Sequence, residues 1–142
     1  MAEGSMTKAE RLAFLSDVHV GVLTIDDPGR GPFALPIWYL VEDGVVVIEM
    51  GGTSKKARLL RDAGRASMVV QTESAPYKYV TVEGPVEVVA SDRNPLEMAV
   101  RYLGVELGEW YARENPNDEH SVVARLTPEH WNTMDFGKLL GM

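Results

Sequence analysis

The chain has 142 residues, with 21 acidic against 14 basic side chains and a formal net charge of -7. Such a balance argues against nucleic acid as the main partner, because phosphate-backbone binding needs a broad basic footprint. Cysteine is absent, which excludes disulfides and thiolate metal ligands and fits a reducing, cytoplasmic home. No apolar run approaches the ~20 residues that cross a bilayer, so no membrane partner is expected.

Residues 1–6 read as a disordered start or a cloning remnant, and residues 7–142 as one domain, the size that a single core supports. Thr7 and Glu10 have capping-box spacing, with Leu12, Phe14 and Leu15 as an apolar stripe behind them, which predicts a helix over residues 7–17. Residues 18–25 are rich in β-branched side chains and read as a strand; residues 26–31 are a turn by composition, and residues 32–42 a second extended segment. Asp43-Gly44 then joins two apolar runs as a hairpin, since a type I′ turn needs positive φ at both central positions. Residues 45–50 form the third strand. A basic helix follows, then strands over 66–72 and 77–90, the latter bent at Gly84-Pro85. Residues 94–112 carry Leu96, Val100, Leu103 and Leu107 at helical spacing. Residues 121–126 are the last clear strand, and residues 131–136 a further short one. Hairpin-linked strands with helices at the margins predict a mainly β, α+β domain built on an antiparallel barrel.

Five cations, Lys55, Lys56, Arg58, Arg61 and Arg65, fall inside eleven residues, against the acidic bias of the rest. They follow Gly51-Gly52-Thr53-Ser54 at a strand-to-helix junction. Glycines admit a close backbone approach, hydroxyls cap the helix, and its first free N–H groups attract anions. A solvated helix face whose arginines pair with nearby acids has the same charge pattern. No nucleotide-loop, metalloprotease or serine-hydrolase motif is present, and His19, His120 and His130 lie in different elements. Metal or nucleophile chemistry is therefore not expected; a bound cofactor would have to supply the reactive atom.

Leu35-Pro36-Ile37-Trp38-Tyr39, the Asp43-Gly44 turn, Ser54-Lys55-Lys56-Ala57-Arg58-Leu59-Leu60-Arg61-Asp62, Val82-Glu83-Gly84 and Arg101-Tyr102-Leu103-Gly104 occur in order, ahead of Leu126-Thr127-Pro128-Glu129, Trp131 and Asp135-Phe136. Over residues 8–138 this set resembles the flavin/deazaflavin oxidoreductases of the pyridoxamine 5′-phosphate oxidase-like split-barrel superfamily. The resemblance implies a six-stranded antiparallel split β-barrel, paired as a homodimer with cofactor sites at the interface. It places Lys56 at the family's cofactor-phosphate lysine, with Thr53, Ser54, Lys55 and Arg58 completing the cradle. Arg61 and Arg65 have a structural reading, paired with acids. Met50, Pro36 and Trp38 would wall the ring, although Trp38 equally suits a core aromatic. Tyr77 would reach the cofactor of a second copy, or make an ordinary cross-strand contact.

The motif set is similar to the deazaflavin-leaning branch, without the vitamin-B6 oxidases' paired arginine and histidine near the C-terminus. Coenzyme F420 is the first cofactor expected and FMN the second, and Lys55 and Arg61 are the candidates to meet a polyglutamate tail. The implied activity is hydride transfer from reduced deazaflavin to an electron-poor small-molecule acceptor, with Tyr39 or water as proton donor. A non-catalytic flavin or deazaflavin carrier is the competing class. A barrel whose basic notch contacts an acidic protein is a third.

Overall fold

The computed structural model describes residues 3–142. Thr7 caps α1 (Lys8–Ser16) through the expected box: its hydroxyl accepts from Glu10 N–H, and the Glu10 carboxylate accepts from Thr7 N–H. The strands β1 (Gly21–Ile25), β2 (Phe33–Ile37), β3 (Leu40–Glu42) and β4 (Val45–Gly51) follow. Asp43 and Gly44 take φ of 52° and 79° between β3 and β4, the type I′ geometry. Then come α2 (Lys55–Ala63), β5 (Arg65–Gln71), β6 (Lys78–Ala90), α3 (Leu96–Leu103), α4 (Val105–Glu114), β7 (Ser121–Leu126), β8 (His130–Asp135) and α5 (Phe136–Leu139).

Among the described residues eight strands form, rather than the six that the resemblance implies. The second extended segment breaks at Trp38-Tyr39, because β2 pairs with β1 while β3 pairs with β4. The additional C-terminal strand, β8, lies on the first half of β6. All pairings are antiparallel, in the order β2-β1-β5-β6-β7-β4-β3. Strand β6 belongs to both halves of this curled sheet: residues 79–85 pair with β5 and residues 86–90 with β7. It turns between them at Gly84-Pro85, where a Cβ on Gly84 would lie 1.9 Å from the Thr127 carbonyl oxygen. Only glycine fits that approach.

Alternation along β1 and β5 turns Leu23, Ile25, Met68 and Val70 inward onto Val80, Val82, Val46 and Ile48. Leu59 and Leu60 of α2 and Leu15 of α1 join the same core. A smaller cluster of Leu40, Val47, Met98 and Val123, with Trp38 and Tyr102 against it, packs α3 onto the opposite face of β4 and β7.

The single helix expected over 94–112 is two helices, separated at Gly104, whose φ of 81° ends α3. The two lie close because Gly108 packs on the Val100 backbone, 2.7 Å from where a Cβ would sit. This hairpin leaves and rejoins the sheet at one point, Ser91 N–H donating to the Ser121 carbonyl at 2.9 Å. Arg101 and Tyr102 pin it to the barrel. Arg101 donates to the carbonyls of Tyr39, Ser16 and Asp17, and the Tyr102 hydroxyl accepts from Tyr39 N–H. These contacts give Arg101 and Tyr102 a packing role.

Gly4, Ser5 and Met6 depart from the expected disordered start. Met6 is buried and donates its N–H to Thr133 Oγ1 at 2.9 Å, while the Gly4 carbonyl accepts from Asp135 N–H. Met1 and Ala2 lie outside the described residues. No described helix is long and apolar enough to cross a membrane.

Candidate functional site

Ser54 starts α2 by accepting from Ala57 N–H at 3.2 Å, and donates its own hydroxyl proton to the Gly51 carbonyl at 2.7 Å. Its oxygen is thereby committed to the helix cap. Arg58 N–H is taken by the Ser54 carbonyl, so helix geometry leaves the N–H groups of Lys55 and Lys56 for a partner outside the helix. The two glycines before the cap differ. A Cβ on Gly52 would meet the His120 carbonyl at 2.2 Å, whereas Gly51 has open space beside it. Packing against the start of β7 therefore explains Gly52, and ligand approach remains open only at Gly51.

The five clustered cations separate by role. Lys55 pairs with Asp27 at 3.3 Å and lies 4.5 Å over the Phe33 ring. Arg61 donates to the Gly52 carbonyl at 2.7 Å. Arg65 bridges Glu83 and Glu129 at 2.8 and 2.9 Å, which holds the Glu83 carboxyl below its ordinary range. Arg58 is exposed on α2 and lines neither hollow described next. Arg65 also borders a separate hollow of about 230 Å³, while Lys56, half-buried, lines a cavity next to the α3–α4 hairpin.

That cavity, about 300 Å³, lies between the face of β4 carrying Glu49 and the α3–α4 hairpin; Ile37, Trp38, Pro95, Met98 and Tyr111 complete its lining with Lys56. A second hollow of about 340 Å³ runs on from it, sharing Glu49, Pro95 and Tyr111 and extending past Thr53 toward His120. Together they form one groove with an aromatic end and a polar end. Trp38 stacks on Tyr102 at 5.0 Å and meets Tyr111 at 5.3 Å, so it is at once a packed aromatic and a groove wall. A larger open hollow of about 700 Å³ beside Leu107 and Trp110 contains none of the candidate cofactor residues.

Glu49 is the charged group in the middle of this groove. Burial pushes its carboxyl up, Arg93 opposes that shift, and Glu97 and Glu42 add to it. Arg93 gives its closest contacts to Glu42 at 2.6 Å and Glu97 at 3.1 Å, leaving Glu49 Oε2 at 3.4 Å from Nε. Both of those atoms are buried without a well-formed hydrogen bond.

The structure thus brings Trp38, Thr53 and Lys56 to the groove, with Met50 at its margin and its side chain in the main core. Pro36 is exposed on β2 and lines neither hollow. Tyr77 is 50% exposed next to β6, where its carbonyl accepts from Phe136 N–H, and it too lies outside the groove of its own chain. Tyr39 corrects the sequence reading most sharply. It is fully buried, its hydroxyl donates to the Leu15 carbonyl at 2.6 Å, and burial pushes its phenol far above the ordinary range. No proton donor for a groove ligand resides there. Sequence reasoning missed Glu49, Pro95 and Tyr111. Glu49 had a signal, being the one charge in the apolar run 45–50; the other two are placed by tertiary packing alone.

The sequence profile of the family described as pyridoxamine 5′-phosphate oxidase matches residues 7–135. The chain belongs to the pyridoxamine 5′-phosphate oxidase family. Other members of this fold surround it among solved structures. A conserved hypothetical protein from Mycobacterium tuberculosis is 25% identical, with a TM-score of 0.80 over 100% of this chain and 92% of that one. An FAD-binding protein from Mesorhizobium loti is 20% identical, with a TM-score of 0.66 over 91% and 94% of the two chains. An F420 reductase is also 20% identical, with a TM-score of 0.60 over 84% and 94%. A search of curated proteins finds no significant match. In this member of the pyridoxamine 5′-phosphate oxidase family, the groove beside α2 joins the Lys56 cation to the aromatic walls of Trp38 and Tyr111.

Proposed function

We propose that the protein binds a flavin-type cofactor in the joined hollows and serves hydride transfer to an electron-poor small molecule, with coenzyme F420 as the first reading. The observation that carries this is Lys56, at the start of α2, opening into a groove walled by Trp38 and Tyr111. A cation beside flat aromatic walls suits a ligand with a planar ring and an anionic tail. The residues present fit such a group. Lys56 would hold the phosphate, with the Thr53 hydroxyl and the outward N–H groups of α2, while Trp38, Tyr111 and Pro95 would flank the ring. When bound, the cofactor supplies the hydride chemistry that no protein side chain provides. The chain's own part is to anchor the anion, fix the ring's tilt and keep water from it. Because Tyr39 is sealed in the core, the proton that accompanies reduction comes from solvent. Solved neighbours that include an F420 reductase and an FAD-binding protein support this ligand class.

One observation favours FMN as the second reading. Lys55 and Arg61, the cations suited to a polyglutamate tail, are engaged by Asp27 and the Gly52 carbonyl. A single lysine in the groove suits a single phosphate. The reading includes a homodimer in which exposed Tyr77 is offered to the groove of a second copy, and a cytoplasmic site of action, in keeping with the cysteine-free chain.

Titration of the apo-protein with F420 and with FMN, repeated for Lys56→Ala, tests the site. A charge-assisted phosphate contact is worth roughly 1.5–3 kcal/mol, about one to two decades in Kd. An unchanged Kd for both ligands would place the site elsewhere. Oxidation of the reduced cofactor by a panel of quinones and enones then separates the enzyme from a carrier, which binds tightly and oxidises nothing.

A further inference from the structure

We propose that Glu49 is a second recognition point in the groove, taking a hydrogen-bond donor on the ring edge of the ligand whose anion Lys56 holds. The inference rests on the reading above and adds to it the requirement for an N–H on the ring. Glu49 and Val47 share the face of β4 that looks toward the α3–α4 hairpin; Val47 is covered by Met98 and Val123, whereas Glu49 meets the groove. It is the single residue of the apolar run 45–50 that carries charge, and packing alone gives no reason for a carboxylate there.

Its internal partner is a poor one. The Arg93 guanidinium is shared among three carboxylates, and its shorter contacts go to Glu42 and Glu97. The 3.4 Å approach to Glu49 Oε2 orients the carboxyl without a well-formed hydrogen bond. The side chain as a whole is 16% exposed and lines both hollows where they meet, between Pro95 and Tyr111. An under-bonded carboxylate in a partly dry groove repels an anion and accepts from a donor. With Lys56 for the tail, the groove therefore has polarity as well as shape: anion at α2, N–H at Glu49, flat faces on Trp38 and Tyr111. An oxidised flavin-type ring carries one such N–H donor, the imide N3–H, on the edge of its pyrimidine ring.

The test compares FMN and F420 with their N3-methylated counterparts, which lack that donor, by equilibrium titration of the apo-protein. Wild type should prefer the unmethylated form by about ten- to a hundredfold, the range of a hydrogen bond to a charged acceptor. Glu49→Leu should bind both forms within twofold of each other, while Lys56→Ala should weaken both and keep the preference. Should Glu49→Leu fail to fold, Glu49→Gln serves, with the preference falling at least threefold. A preference that persists in the Glu49 variants, or is absent from wild type, overturns the role of Glu49 and leaves the cofactor reading intact. Failure of wild type to bind either FMN or F420 overturns both.

Discussion

Replacing Tyr39 with Phe distinguishes a structural tether from a proton donor. The Tyr39 hydroxyl is buried and donates to the Leu15 carbonyl at 2.6 Å, with the Asp17 carbonyl at 3.4 Å. Leu15 is in the last turn of α1, where carbonyls have no partner within the helix. Loss of a neutral hydrogen bond costs about 0.5–1.5 kcal/mol, and a buried acceptor left unpaired raises this to about 1–3 kcal/mol. The helix end cannot simply fray to recover water, since Arg101 holds the neighbouring Ser16 and Asp17 carbonyls. We therefore expect a loss near 2 kcal/mol, or roughly 6 °C in Tm for a domain of this size. Thermal and urea unfolding read the stability, and cofactor titration with turnover reads the site. Destabilisation with unchanged cofactor Kd and turnover is the expected pair. An unmoved midpoint with turnover abolished would refute the reasoning and return Tyr39 to the chemistry.

Lys55→Ala and Arg61→Ala, whose cations are already engaged, should each change cofactor Kd by less than about threefold, in contrast to Lys56→Ala; decade-sized losses in isothermal titration would show that they meet the ligand. Gly84→Ala forces a Cβ into the Thr127 carbonyl and should cost at least about 2–3 kcal/mol by urea midpoint, while Gly51→Ala, with open space, should stay within about 0.5 kcal/mol. Glu10, held by Lys138 and by Thr7 N–H, has its carboxyl lowered from 4.5 to about 2. Its stabilising contribution is present above the unfolded value and disappears as pH falls from 4.5 through 2, so the Tm gap between wild type and Glu10→Gln should close over that window. A gap that stays constant from pH 6 to pH 2 would assign the effect to something other than this ionisation.

Local chemistry was the legible part of the fold. The Thr7–Glu10 box, the Asp43-Gly44 turn, the Ser54 cap and the bend at Gly84-Pro85 each depend on a few neighbouring residues, and each appears where its residues stand. The break at Trp38-Tyr39 was hidden because it follows from which strands β2 and β3 pair with, far away in sequence. The split at Gly104 had a residue to mark it, yet the apolar spacing from Leu96 to Leu107 ran unbroken across it. At the site, the basic cluster was visible as charge, but its division was not. Which lysine faces a cavity depends on Asp27 and Phe33 arriving from the loop and strand before β3 to engage Lys55. Tyr39 misled for a related reason: a tyrosine in a ring-wall motif looks accessible until α1 packs over its hydroxyl.

Ser91 and Ser121 stand hand in hand across the gap where residues 92–120 depart from the sheet and return. The stretch that supplies Pro95 and Tyr111 is in effect a cassette whose ends join the barrel at that one point. Met98 and Arg93 within it bear on Val47 and Glu49 of β4, whereas the Ser54 cap that begins α2 is made by Gly51, Ser54 and Ala57 alone. A change within residues 92–120 would thus recast the far wall of the groove while the start of α2 keeps its own hydrogen bonds.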